Sequence, residues 1–541
     1  MQFDFVIVGA GSAGCLLANR LSADGKFSVC LLEAGGDNKN PLVSTPMAMG
    51  ELMTSKKMNW LFHTAPENFQ QNREIFCPRG KGLGGSSAIN GMMYVRGHDS
   101  DYDRWVEEGA EGWSFKEVLP YFKKSQHQER GACERHGVDG ELNVSDAQKY
   151  YPFNELFIEA AQELGYPAND DFNGKHQEGV GYYQFNIKNG RRHCSAEAFI
   201  RPIENRKNLT VITGAHACGI EWEADKAVGI TYLNEQGSKL RVNAAREVIL
   251  SGGAFNSPQL LMLSGVGDKD ELAKNNIALK HHLPGVGKNL QEHVDALVVR
   301  NAVRGKKGPL AMKPRDLVKE IPSALTYPIT GRGILAGPPV ETGGFFSATD
   351  DKEVPDLQWV FLPVKLNDHG RDKAIMRSHG YSAHVVLLRP KSRGQVSLYS
   401  ADPLAAPKIQ LNMLSHPDDV KELIAGVKKT RALLSSSVFS EYMADELFPG
   451  EGCQSDGAIE EWLRRSANHV YHPIGTCKMG VDDMAVVDPQ LRVHGLKNLR
   501  VVDASVMPSL MGGNTNAPTY MIAEKASDMI LQSHVEEPCC E

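Results

Sequence analysis

One stretch near the N-terminus limits the fold more than any other: "FVIVGAGSAGCLLANRLSADGKFSVCLLEAGG". Residues 5–8 form an apolar run suited to a strand buried on both faces. Gly9, Gly11 and Gly14 then supply G-x-G-x-x-G, and Leu16, Leu17, Ala18 and Leu21 mark a helix. A second apolar run, residues 29–32, ends in Glu33. The order strand, glycine turn, helix, strand, acid is that of a dinucleotide site. Gly9 permits the tight turn, Gly11 lets backbone approach a pyrophosphate, and Gly14 lets helix and strand pack closely. The helix N-terminus offers unpaired N–H groups to the pyrophosphate. Glu33 can accept from ribose hydroxyls and would repel a 2′-phosphate, so NADP is disfavoured while NAD and FAD stay open.

A chain of 541 residues exceeds one ordinary hydrophobic core. Its 59 Lys+Arg against 66 Asp+Glu give a net charge of −7, which argues against a nucleic-acid partner. The ten cysteines form no C-x-x-C pair and no zinc spacing, and read as free thiols in a reducing cytoplasm. The N-terminus lacks the pattern of a signal peptide, and no apolar run approaches the ~18 residues of a spanning helix. The expected location is the cytoplasm, with a peripheral contact at the inner membrane left open.

Three further segments narrow the cofactor. "CPRGKGLGGSSAINGMMYVRG", residues 77–97, packs glycines and small hydroxyl residues into a loop suited to close approach by a flat ligand or phosphates. Arg79, Gly84, Gly85, Ser86, Asn90 and Gly91 lie in it. "EVILSGGAFNSPQLLMLSGVG" reads as a strand over 248–251, a Gly252–Gly253 turn and a helix opening near Ser257–Pro258. "LRVVDASVMPSLMGGNTNAPTYMIAEKASDMI" reads as a strand ending in Asp503, a Gly/Asn loop, and a helix from about Pro518.

On these motifs the chain resembles the glucose–methanol–choline (GMC) oxidoreductases. One family signature matches residues 80–103 and a second residues 253–267; "HPIGTCKMG" and "GNTNAPT" fit as well. Within the family the resemblance is nearest to bacterial alcohol dehydrogenases of the alkane-oxidation type, then to choline dehydrogenases. It implies FAD enclosed by Gly9, Ser12, Gly14, Glu33, Ala34, Gly84, Asn90 and Ala217. Asp503, Ala504, Asn516 and Thr519 would complete the flavin side. Ala88 and Ile89 occupy the neighbourhood where some relatives attach the flavin through histidine, so non-covalent FAD is expected.

FAD-type segments at both ends and in the middle imply interleaved domains. The expected class is α/β plus α+β: a Rossmann-like FAD-binding domain interleaved with a substrate domain on a mixed or antiparallel sheet, with helices on one face. The FAD domain is assigned residues 1–150, 191–300 and 466–541, and the substrate domain 151–190 and 301–465. Residues 220–244 read as a β-meander. Residues 314–335 read as an amphipathic packing helix, with a lid or a surface for a quinone at the membrane as alternatives. The tail "SHVEEPCCE" is expected to fray.

Alcohol oxidation by a flavin needs a hydride acceptor, which flavin N5 supplies, and a base for the hydroxyl proton. Histidine suits the second role, and His472 sits before Pro473 and Gly475 on a turn that can aim a side chain into a cavity. By resemblance, His472 is the base and Asn516 its partner. His469 and His472 form H-x-x-H without a third ligand of suitable spacing, so no metal is expected. Asn514 reads as a loop residue. A choline site would need a carboxylate and an aromatic cage, to which Glu341 and Tyr471 could contribute. The favoured reading is oxidation of a primary alcohol, aliphatic or aromatic, with a quinone or other non-O2 acceptor. Choline dehydrogenase, a peroxide-forming alcohol oxidase and a non-redox hydroxynitrile lyase are the alternatives.

Overall fold

The computed structural model describes residues 1–305, 308–313 and 318–535. The expected frayed tail from 536, and residues 314–317, lie outside the described residues. A first sheet holds the nucleotide pattern. Leu209–Ile212, Val29–Leu32, Gln2–Val8 and Lys239–Leu250 lie side by side in parallel, and Leu499–Val501 joins Lys239–Leu250 in parallel too. Val8 stands level with Leu32 and with Leu250, and Leu250 with Val501. That register puts Gly9, Glu33, Ser251 and Asp503 close beyond one edge, the carboxyl ends where open α/β sheets bind ligands.

Lys239–Leu250 serves two partners. Its first half pairs antiparallel with Lys226–Leu233, which pairs with His216–Glu223, forming the expected meander. Its last residues run parallel to Leu499–Val501.

The helix after Ser251 spans Gly253–Leu263, several residues earlier than Ser257–Pro258. Pro258 cannot donate to Ala254, and Thr476 Oγ1 donates to the Ala254 carbonyl instead at 2.6 Å. A partner from the "HPIGTC" turn thus removes the usual cost of proline inside a helix. The last helix spans Asn516–Val535. Pro518 falls in its first turn, where N–H groups lack helical partners anyway.

The second sheet runs Met443–Phe448, Val294–Ala302, Gly380–Leu387, Leu357–Leu362, Thr342–Phe346, Gly179–Tyr182. Every neighbouring pair is antiparallel, so the sheet is not mixed. One face is covered by helices Phe153–Glu163 and Pro417–Leu434: Phe157 stacks on Phe361 at 4.6 Å, and Trp359 Nε1 donates to Thr430 Oγ1 at 2.8 Å. The alternate residues Gln358, Val360 and Leu362 face a cavity on the other side. The segment limits drawn at 300 and 465 do not follow the pairing. Val294–Ala302 pairs inside the second sheet, and Asn468–His469 pairs with its first residues.

The chain ends meet across a buried cation. Arg20, in helix Ser12–Leu21, donates to Glu524 at 2.6 Å and 2.9 Å and to Glu141 at 2.6 Å and 2.7 Å. Glu524 is fully buried. Arg20→Met leaves that carboxylate with only Lys124 at 3.6 Å. The expected loss of about 3 kcal/mol for an unpaired buried charge should appear as a lower denaturant midpoint in chemical unfolding.

Candidate active site

A cavity of about 1330 Å³ lies between the carboxyl edge of the first sheet and the open face of the second. From the first glycine turn, Gly9, Gly11 and Ser12 line it. Gly9 has φ +101°, and a Cβ there would meet Ser251 O at 2.5 Å. A Cβ on Gly11 would meet nothing, so this backbone faces open space at a helix N-terminus. Gly14 stands behind the wall, its added Cβ 1.9 Å from Gly9 O, which is the close helix–strand packing expected of it. Ser12 Oγ donates to Asn516 Oδ1 at 2.6 Å, so the starts of the first and last helices touch.

Glu33 lines the cavity, and its carboxylate accepts three backbone N–H bonds, from Ala10 at 2.9 Å and from Gly35 and Gly82 at 2.8 Å each. It anchors the loops that surround it as well as facing the ligand space. In the second glycine loop, Arg79, Gly85, Ser86, Asn90 and Gly91 line the cavity. Gly84 does not; its φ of +93° turns the chain so that its N–H reaches Ala10 O at 2.8 Å. Ala34 and Ala217 form wall beside Glu33. Asp503, Ala504 and Thr519 close the far side. Asp503 is bound by Gly253 N at 2.8 Å, Ser257 Oγ at 2.6 Å and Ser505 N at 2.8 Å.

His472 lines the same cavity. Tyr471 before it has φ +69°, a left-handed conformation costly for a bulky residue. Two contacts hold it there: Arg79 Nη2 donates to its carbonyl at 2.6 Å, and its hydroxyl pairs with His369 Nδ1 at 2.5 Å. The His472 N–H donates to Glu292 Oε1 at 2.6 Å.

Hydrogen-bond bookkeeping fixes which nitrogen of His472 is basic. His293 Nε2 lies 3.0 Å from Met511 O, a pure acceptor, so it carries the proton. Burial pushes the His293 imidazole down to about 4, so its other nitrogen, Nδ1, is an acceptor. His472 Nδ1, 2.9 Å away, must then donate to it. That leaves the lone pair on His472 Nε2, which Asn514 Nδ2 approaches at 3.1 Å. Burial first, and then the neighbouring His293 ring and the cations Arg79 and His469, hold His472 well below the ordinary histidine range.

The expected pairing of His472 with Asn516 is therefore corrected. Asn516 opens the last helix and turns to Ser12, while Asn514, two residues earlier in the loop, reaches the imidazole. Asn514 Oδ1 is buried without a partner beside the cavity it lines. Glu341 is corrected too. It is buried outside the cavity wall, accepting from Asn154 Nδ2 at 3.0 Å and Tyr150 N at 3.3 Å, and cannot face a cation there.

Glu292 and His293 were not singled out from the sequence; in "LQEHVDAL" nothing local marks them. Glu292 also binds His469 Nδ1 at 3.0 Å. Burial opposes charge on His469, but Cys77 and Glu292 outweigh it and push the imidazole up to about 10. His469 thus serves Glu292 and the Phe76 carbonyl. Asp295, His369 and His384 form a second cluster, of which the two histidines line the cavity.

The donors fit FAD. Helices of ten residues or more open at Ser12, Gly253 and Asn516 against the cavity, and Gly11 and Gly253 leave room where a Cβ would stand. Sequence comparison decides the family: the GMC oxidoreductase N-terminal model matches residues 3–295 and the C-terminal model residues 390–523. The chain belongs to the GMC oxidoreductase family. It is an FAD-dependent oxidoreductase, and its fold and cofactor are those the motifs implied. It is similar to alcohol dehydrogenase [acceptor] from Pseudomonas putida, 46% identical over 98% of this chain and 96% of that protein. An oxygen-dependent choline dehydrogenase from Rhizobium etli is 43% identical over 98% and 96%. Among solved structures, pyridoxine 4-oxidase from Mesorbium loti superposes with a TM-score of 0.89 at 30% identity, covering 99% of this chain and 100% of that one.

A base must be neutral to act, and a lowered pKa keeps His472 neutral to lower pH. The acidic limb of kcat/KM for this GMC enzyme is therefore expected below pH 6.5. Asn514→Asp puts a carboxylate on Nε2 and should move that limb up by about one unit. A pH–rate profile of both proteins checks the shift.

Proposed function

We propose that this enzyme oxidises a primary aliphatic alcohol to the aldehyde and passes the electrons to a quinone or another acceptor that is not O2. The observation that carries the reading is the His472–Asn514 pair at the wall of a mainly apolar cavity. His472 Nε2 accepts the hydroxyl proton, and the His293 link holds that imidazole in the needed tautomer. Asn514 fixes the substrate oxygen beside Nε2, a preoriented dipole for developing negative charge. When bound, FAD supplies the two-electron acceptor that alcohol oxidation requires. Ser12 and Asn516, tied to each other, orient the two helix starts that face it.

Substrate class is argued from the wall. Met53, Met312, Val340, Val360, Leu362 and Met376 are among its residues, a surface suited to an alkyl chain. With Glu341 turned away, the carboxylate considered for a quaternary ammonium is out of the cavity, which supports a neutral alcohol over choline. The Pseudomonas putida relative, an alcohol dehydrogenase [acceptor], supports an alcohol as substrate and a separate electron acceptor. Ala88 and Ile89 offer no nucleophile, supporting non-covalent FAD. The described cysteines are all free thiols, which supports a cytoplasmic setting.

Anaerobic mixing with a series of primary alcohols should bleach the flavin, faster as the chain lengthens, with choline ineffective. His472→Ala should retain FAD and slow bleaching by roughly 10²–10⁴-fold. Turnover matched by peroxide would refute the proposed acceptor, and flavin retained on the denatured chain would refute non-covalent binding.

A further inference from the structure

We propose that the helix Ile321–Thr330 and the segments beside it form a docking surface for an anionic lipid bilayer over the mouth of the alcohol cavity. The proposal gives the reading above its source of substrate, and rests on that reading for its purpose. Its geometry stands independently.

The helix contains no charged residue, and Tyr327 is its sole buried side chain. The Tyr327 hydroxyl donates to Gly190 O at 3.2 Å, which pins the inner side to the body of the protein. On the outer side Ile321, Leu325 and Ile329 recur every fourth residue and are 50%, 73% and 90% exposed. Val318, Met312 and Leu42 extend the patch at 60%, 48% and 46%. An amphipathic helix packed on a core shows its polar stripe to water; here the stripe facing water is aliphatic. Such a face suits the boundary between headgroups and acyl chains.

Charge favours a bilayer over other covers. Lys188, Arg191, Lys319 and Arg332 are exposed around the helix, although the chain as a whole carries −7. Arg191 Nη2 donates to the Pro328 carbonyl at 3.2 Å, holding its charge against the ridge. The neighbouring acid, Glu320, is shared between the Tyr150 hydroxyl and Lys319 at 4.0 Å, which leaves Lys188, Arg191 and Arg332 to carry the positive charge of this surface. Basic residues flanking an apolar ridge attract anionic headgroups. A second copy docked face to face would set the same cations against each other.

Position supplies the purpose. Leu42, Met312, Lys319, Glu320, Ile334 and Leu335 belong to the cavity wall, so the segment that presents the ridge outside also lines the route inward. An alcohol with a long alkyl chain partitions into a bilayer and would reach His472 through this wall.

The test is co-sedimentation of the FAD-loaded full chain with vesicles. Wild type should pellet with phosphatidylglycerol–phosphatidylethanolamine vesicles and stay in the supernatant with pure phosphatidylcholine. Leu325→Glu/Ile329→Glu alters only exposed positions outside the cavity wall. It should cut the bound fraction by about tenfold, with unchanged melting temperature and unchanged bleaching by a short, water-soluble alcohol. Wild type failing to pellet, or the double variant pelleting as well as wild type, would overturn the proposal. So would light scattering that shows a dimer in wild type and a monomer in the variant, with vesicle binding the same. Loss of bleaching alone, with vesicle binding intact, would count against the alcohol chemistry and leave the docking surface standing.

Discussion

A buried carboxylate that accepts three backbone N–H bonds holds the cofactor half of this enzyme together. Glu33 joins Ala10 of the first glycine turn, Gly35 just beyond its own strand and Gly82 of the second glycine loop. Loops rich in glycine carry many N–H groups and few side chains, so they need an acceptor from elsewhere. Glu33 can supply it because Val29–Leu32 ends level with Gln2–Val8, which delivers the acid to the edge where the loops converge. The carboxylate that a nucleotide site needs for a ribose is also the one that shapes the cradle.

A second carboxylate organises the catalytic half. Glu292 binds the backbone N–H of His472 and the ring of His469, and His293 beside it fixes the His472 tautomer. The two residues precede Val294–Ala302, the strand that Asn468–His469 pairs with. One short antiparallel contact therefore sets the base on its supports. The left-handed Tyr471 between His469 and His472 is the strain this arrangement carries, restrained by Arg79 from the FAD loop. Cradle and base are coupled through that arginine.

Much of the fold was legible locally. The apolar runs over 5–8 and 29–32, the three glycines and the meander follow from periodicity and turn chemistry, which depend on near neighbours. Helix starts were legible less well. Gly253 opens its helix early because Thr476, more than two hundred residues away, satisfies the carbonyl that Pro258 leaves free. Asn514 and Asn516 could not be told apart in "GNTNAPT", since both are polar, both lie near a helix start, and both line the cavity. Glu341 looked available for a cation until its burial against Asn154 was visible.

The sequence by itself determined the dinucleotide half-site, the interleaving of FAD segments and the placing of His472 on a turn that can aim its side chain into a cavity. Those features reside in short stretches whose residue types have few other uses. Only the tertiary structure decided which asparagine meets His472, which of its nitrogens is basic, and which way Glu341 and the helix Ile321–Thr330 face. Each of these depends on partners far along the chain, and hydrogen-bond direction and burial exist only once those partners are brought together.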